Sequence, residues 1–271
     1  MLKTQLTKLL ACCAPFVAAP AFAAAPAAPA PAVQDDPDEE KPDKRPEIKE
    51  MISTMLEHAG KKGGKEDRQA VELIDKLLQE FPDSGKKDRK DIVNALAKCF
   101  KEKRTENDEG VRDNQLFLAS AVALGQMGPE SVSVLDEWIG KKPHKQDLAL
   151  QRQLILSLGK TKDEKAIKSL VDLLTDKYPA VQGATAEALG NFAGVEQKQR
   201  KFVFEEILKV LNAIKDSVDA DVNNREARER YDVIAAPMVT TLQALTGESI
   251  RDPSEWRHWW NKNKKKNWDE E

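Results

Sequence analysis

One short phrase recurs along this chain and constrains its fold more than any other feature. It reads Ala123-Leu124-Gly125, then Ser157-Leu158-Gly159, then Ala188-Leu189-Gly190. From Leu124 to Leu158 is 34 residues, and from Leu158 to Leu189 is 31. Each copy closes an apolar helical pattern and is followed by a polar turn and another helix. A period of this size marks stacked helical hairpins, none of which can bury its apolar stripe alone. Such an array offers an extended surface rather than a single deep cleft.

From residue 46 onward the periodicity predicts helices near 46–59, 67–81, 88–103, 112–127, 130–140, 146–158, 163–176, 179–192, 197–218, 223–245 and 253–265. No alternating run of β-branched residues reads as a strand. Gly60, Gly63-Gly64, Pro82-Asp83-Ser84-Gly85 and Gly128-Pro129 set the early breaks, and Pro143 and Pro179 open later turns. The clearest unit is Lys165 to Gly194. Its first helix should bury Ile167, Leu170, Val171 and Leu174, and its second Val181, Ala184, Ala188, Leu189 and Phe192. Alanines let the two helices approach, while the leucines and Phe192 fill the interface.

These residues resemble HEAT and HEAT-like repeats. Ala166-Ile167-x-x-Leu170-x-x-Leu173-Leu174-x-Asp176, then Pro179-x-Val181-Gln182-x-x-x-Ala186-Glu187-Ala188-Leu189-Gly190, follows the family pattern over 163–194. The match is looser over 112–160 and faint over 46–103, and 197–245 looks like a unit with a longer hairpin. The family usually has Arg where Gln182 stands, reaching the Asp of a ladder. Asp176 is present without that Arg, so the ladder is expected to be incomplete. The chain end, Leu245-Thr246-Gly247 and then Asp252-Pro253-Ser254-Glu255-Trp256, resembles exported bacterial HEAT-repeat proteins of planctomycete type. The resemblance implies an all-α, α-α superhelix: a solenoid of about five hairpins with a Trp-rich C-terminal capping helix.

The first 23 residues read as an export signal. Lys3 and Lys8 form the basic start, Leu9 to Ala19 the apolar stretch, and Ala21-Phe22-Ala23 the cleavage site. Export to the periplasm or beyond is therefore expected. Leu9-Leu10-Ala11-Cys12 resembles a lipobox, but almost no hydrophobic run precedes Cys12. Residues 24–45 read as an Ala/Pro-rich, then charged, disordered linker. Residues 46–266 read as the repeat domain and 267–271 as an acidic tail. Cys12 and Cys13 leave with the signal. Cys99, in the stripe Ile92, Leu96, Cys99, is expected to be a small buried hydrophobe.

Charged residues make up 33% of the chain and aromatics 6%, with 43 basic against 46 acidic side chains and a net charge of −3. Mixed signs throughout suit ion-paired helix surfaces, and no global excess points to nucleic acid. No catalytic, cofactor or metal-binding group stands out. His58, His144 and His258 lie far apart, and no Gly-x-Ser-x-Gly occurs. Gly159-Lys160-Thr161 ends like a phosphate loop, but Leu154 stands where that loop needs Gly.

Two constellations carry chemistry. Asp252 reads as an N-cap, with Glu255 completing a capping box, and Trp256, Trp259 and Trp260 fall on one helical face. They read as a terminal cap, with stacking on sugars or bases as the alternative. In HEAT arrays the second helices line the concave face. Gln182, Arg225, Arg228 and Tyr231 therefore form the candidate partner-binding set, against intrahelical pairing such as Glu226 with Arg230. Lys262, Lys264, Lys265 and Lys266 read as a solvated helix end, or as a contact for an anionic surface. The reading is a non-enzymatic protein–protein interaction scaffold, exported to the cell envelope. Its partner is a protein; no cofactor, nucleic acid or membrane span is expected. The family resemblance also admits an enzyme of glycosylase or lyase type, and the lysines admit a binder of anionic envelope surfaces.

Overall fold

The computed structural model of the chain describes residues 41–104 and 113–270. Among them are eleven α-helices and no strand: α1 (Pro46–Ala59), α2 (Asp67–Glu80), α3 (Lys86–Cys99), α4 (Gln115–Gln126), α5 (Val132–Trp138), α6 (Leu148–Lys160), α7 (Lys165–Leu173), α8 (Pro179–Leu189), α9 (Gln197–Ala220), α10 (Arg225–Thr246) and α11 (Pro253–Asn263). Each falls where the periodicity places a helix, within a few residues. They pair in chain order as five hairpins, and α11 packs on α9. The hairpins stack as two layers. First helices α1, α3, α5, α7 and α9 form one, and second helices α2, α4, α6, α8 and α10 the other. The expected export signal and residues 24–40 of the expected linker lie outside the described residues.

The recurring phrase is the joint between second helices. A Cβ built on Gly125 would lie 2.8 Å from Ser157 Cα, and one on Gly159 would lie 2.7 Å from both Cβ and the carbonyl oxygen of Ala188. Gly190 faces Thr241 Oγ1 at 3.3 Å in the same way. Each glycine thus receives the small residue that opens the next copy. Thr241-Leu242-Gln243 is a fourth copy, in which the glycine is replaced and, among the described residues, no further second helix packs on it. Leu124, Leu158, Leu189 and Leu242 are all fully buried beneath these joints. Neighbouring second helices touch far more extensively than neighbouring first helices. The second-helix layer is therefore the more extensively joined side of the stack.

Gly159→Ala should accordingly destabilise the protein by about 1–3 kcal/mol through overpacking, despite a helix-propensity gain of about 1 kcal/mol. Gly194, with nothing within 4 Å of its Cβ position, should accept Ala without loss. Thermal melting of the two variants checks this, and equal melting points would refute the joint.

The folded part begins earlier than the expected boundary at residue 46. Asp88 Oδ1 and Oδ2 accept the backbone N–H groups of Lys44 and Arg45, both at 3.0 Å. In return, Asp43 accepts the N–H groups of Asp88 (2.8 Å) and Lys87 (3.2 Å) at the start of α3. Burial pushes the Asp43 carboxyl up, but the N–H groups of Asp88, Lys87 and Lys44 outweigh it and hold it below the ordinary aspartate value. The Arg45 guanidinium adds bonds to Glu80 and Ser84. Residues 41–45 are thus part of the first two hairpins rather than linker.

At the opposite ends of these helices lies a fully buried ion pair. Arg104 Nε and Nη2 donate to the two Asp67 carboxylate oxygens at 2.7 and 2.6 Å, and Nη2 also donates to Ala59 O at 2.8 Å. The side chains are 1% and 3% exposed. One guanidinium thereby joins the end of α1, the start of α2 and the chain leaving α3.

At the other end, Phe204 of α9 is surrounded by four tryptophans. Its ring centroid lies 5.7 Å from Trp256, 5.3 Å from Trp259, 5.0 Å from Trp260 and 5.5 Å from Trp268. Asp252 accepts the Ser254 N–H at 2.8 Å. The Glu255 side chain makes no reciprocal bond among the described residues, so the expected capping box is half formed. The stretch expected as an acidic tail is anchored as well. Trp268 packs against the core cluster, Arg200 pairs with Asp269, and Gln197 bonds Asn267.

Candidate binding face

The open side of the second-helix layer is an extended exposed surface. Its composition departs from the rest of the chain. From α2 it presents Val71 and Leu78, and from α4 Leu118, Ala119 and Val122. α6 follows with Leu148, Ala149 and Leu156, α8 with Ala180 and α10 with Val233, Ala236 and Thr240. Leu148 and Val233 are 39% and 46% exposed. The charges interrupting this face are few. Arg152 and Glu187 pair with each other across α6 and α8 at 2.7 Å; Asp75 and Asp113 line the space between α2 and α4, and Lys160 and the Arg225–Glu229 pair are exposed at helix ends. Between α2 and α4 the face deepens into a groove of about 500 Å³.

The sequence-chosen partner residues do not assemble there. Gln182 is 3% exposed and is consumed inside the stack. Its Nε2 donates to Leu174 O at 2.7 Å, and its Oε1 accepts from Arg230 Nη1 at 3.3 Å. Gln182 is therefore corrected from a partner contact to a rung of the fold. Gln151 holds the same rung one repeat earlier, donating to His144 O at 3.1 Å and accepting the Gly140 N–H at 2.6 Å. The arginine missing from the ladder is supplied by the next hairpin as Arg230, which also reaches Lys177 O at 3.0 Å. Asp176 instead caps its own turn, accepting the Tyr178 N–H at 2.8 Å.

Tyr231 points away from the open face, toward Lys215 and Asp219 of α9 and toward Asp252. Burial is the main cause raising its phenol pKa, reinforced by Asp252, Asp219 and Asp232 and opposed by Lys215. Arg225 is exposed, but its Nε is paired with Glu229 Oε1 at 2.6 Å rather than free for a partner. Arg228 is exposed at the start of α10. The expected set is thus split between the interior, the α9 side and a helix end.

Among the described residues no group of three or more His, Cys, Asp or Glu side chains could hold a metal. No helix among them is long and apolar enough to cross a membrane. Cys99 is fully buried, and burial pushes its thiol up to about 11. His58 is bonded to Glu66 at 2.7 Å, a carboxylate contact the spacing did not foretell. His144 is enclosed by Phe100, Phe117 and Trp138, with Nε2 bonded to Phe100 O at 2.7 Å. Gly159 of the phosphate-loop look-alike is covered by Ala188.

Residues 144–221 match the family model for HEAT repeats. The match runs from the turn before α6 to the end of α9, and so contains the α7–α8 hairpin whole. The chain carries HEAT repeats there, and the same stacking of paired helices continues on both sides as one helical-repeat solenoid. No curated protein matches the chain.

Proposed function

We propose that the protein is a non-enzymatic, exported interaction scaffold that docks a partner protein along the open face of its second helices. One observation carries this reading. In a chain whose residues are 33% charged, the solvent-facing stripe running from α2 to α10 is rich in Val, Leu and Ala, with Asp75, Asp113 and Lys160 among the few charges that interrupt it. Contiguous exposed apolar surface of this kind marks a docking site on a soluble domain. Helical-repeat scaffolds commonly use such an extended face. The export half of the proposal rests on the N-terminal sequence.

A glycosylase-type enzyme would need Trp and Asp facing a basic groove. Here Trp256, Trp259 and Trp260 pack on Phe204 of α9, a first-layer helix.

The test is a paired capture from envelope extract, using wild type and a Leu148→Asp/Val233→Asp variant, followed by titration of the retained protein. Both positions are exposed, so stability should change by no more than about 0.5 kcal/mol each. Affinity should fall at least about tenfold, the equivalent of 1.4 kcal/mol. A partner held equally by both forms would refute the face.

A further inference from the structure

The opposite layer has an open groove of its own. α1, α3 and α5 leave between them a space of about 780 Å³. Ile48, Ile52, Val134 and Trp138 give it an apolar floor. Around the rim stand Lys44, Lys49, Lys87, Lys98 and Lys101, all exposed. The ion pairs of the described residues include none of these five ammonium groups. Of the carboxylates lining the groove, Asp88 pairs with Arg45 at 3.7 Å and Glu137 with Lys141, while Glu137 also acts on Lys101; Asp43 acts on Lys44. Six cationic side chains nevertheless line the groove against three carboxylates, Asp88, Asp91 and Glu137. In a chain of net charge −3, this is a local excess of positive charge.

The chemistry of the rim selects the kind of anion. Lysines are dispersed point charges that attract carboxylate and phosphate alike, whereas a two-pronged seat for a single phosphate needs the planar fork of arginine. The one guanidinium lining the groove, Arg45, is spent on Glu80 and Ser84. A helix N-terminus is the other common phosphate seat. The first amides of α3 are already taken by Asp43 at 2.8 and 3.2 Å. What remains is an apolar trough flanked by spread cations, which is complementary to separated carboxylates bordering an apolar stripe. A helix laid apolar side down in a groove has that pattern.

We propose that the α1/α3/α5 groove docks an acidic amphipathic helix of a partner protein. This contact is separate from the second-helix face and does not depend on it.

The test is fluorescence anisotropy of the chain with three labelled probes. One is a helical peptide with a Leu/Ala face flanked by Glu, the second is its counterpart with Lys in place of every Glu, and the third is a single-stranded oligonucleotide of the same charge as the first. The acidic peptide should bind more tightly than either other probe by at least about tenfold, and more weakly as salt rises. A Lys49→Glu/Lys98→Glu/Lys101→Glu variant should lose about tenfold in affinity for it while retaining the wild-type melting curve. Leu148→Asp/Val233→Asp should leave this affinity unchanged, so the two faces are tested independently. Equal binding of the two peptides, no binding of the acidic one, or indifference to the triple variant overturns the proposal. Equally tight binding of the oligonucleotide also overturns it, leaving only a general polyanion surface.

Discussion

Arg104→Met is expected to lower the free energy of unfolding by about 3–5 kcal/mol, the cost of leaving one member of a buried ion pair alone. The Arg104 and Asp67 side chains are 1% and 3% exposed. Their two-pronged bond, at 2.7 and 2.6 Å, leaves no water to replace the guanidinium. Methionine keeps most of the apolar stem but removes the guanidinium that lies 5.7 Å over the Phe117 ring, so the loss reports charge and hydrogen bonds more than volume. Ala59 O, at the end of α1, loses its donor as well. In a stack where each hairpin contacts only its neighbours, the damage should be local. Amide exchange should rise first in α1 and α2 and least in α9 and α10. Replacing both members, as Arg104→Met/Asp67→Leu, should recover much of the loss, because no buried charge is then stranded. Urea titration of the two variants reads both effects. A single variant within about 1 kcal/mol of wild type would show that the pair contributes little beyond what its desolvation costs.

What could be read from the sequence was whatever repeats or caps locally. The eleven helices follow from apolar periodicity and Gly/Pro punctuation, and both are short-range signals. The Leu-Gly phrase revealed the period but not its cause, because the atom each glycine avoids belongs to the next second helix, 32, 29 and 51 residues further on for Gly125, Gly159 and Gly190. The same distance in sequence hid the arginine of the ladder. Arg230 stands 48 residues beyond the Gln182 it serves, where spacing alone suggested a partner for Glu226. Arg104 and Asp67, 37 residues apart, looked like two ordinary members of a highly charged chain. Trp268 was passed over because it sits among acidic residues past the end of the last helix, yet it packs on Phe204. The open apolar stripe was not legible for a different reason. Arg and Tyr stand out in a sequence as interface anchors, whereas the open stripe is conspicuous for how few charges it carries. That pattern emerges only when equivalent positions of α4, α6, α8 and α10 are laid side by side.

Trp256→Ala should cost about 3–5 kcal/mol, the range for emptying a buried indole site. Trp256 is fully buried, with its ring 5.7 Å from both Phe204 and Trp259. Trp259, Trp260 and Trp268 are partly buried around the Phe204 ring and would have to give up those contacts to close over the vacancy. Two of them have commitments that resist such movement. Trp259 Nε1 donates to Glu248 at 2.9 Å, and Trp268 Nε1 donates to Asn263 O at 3.1 Å. α11 rests chiefly on α9, so losing its central anchor should free α11 and expose the outer side of α9. Trp256→Phe separates packing from polarity. The Trp256 indole N–H is buried without an acceptor among the described residues, and an unsatisfied donor of that kind costs about 1–3 kcal/mol. Phenylalanine removes the donor while keeping an aromatic ring against Phe204. The smaller fill and the relieved N–H should nearly cancel, leaving the variant within about 1.5 kcal/mol of wild type. Thermal melting, with amide exchange across α9 as the local readout, distinguishes the outcomes. If Trp256→Ala melted with wild type, Trp256 would not hold the end of the stack. The tryptophan cluster would then have to be treated as a surface for stacking ligands.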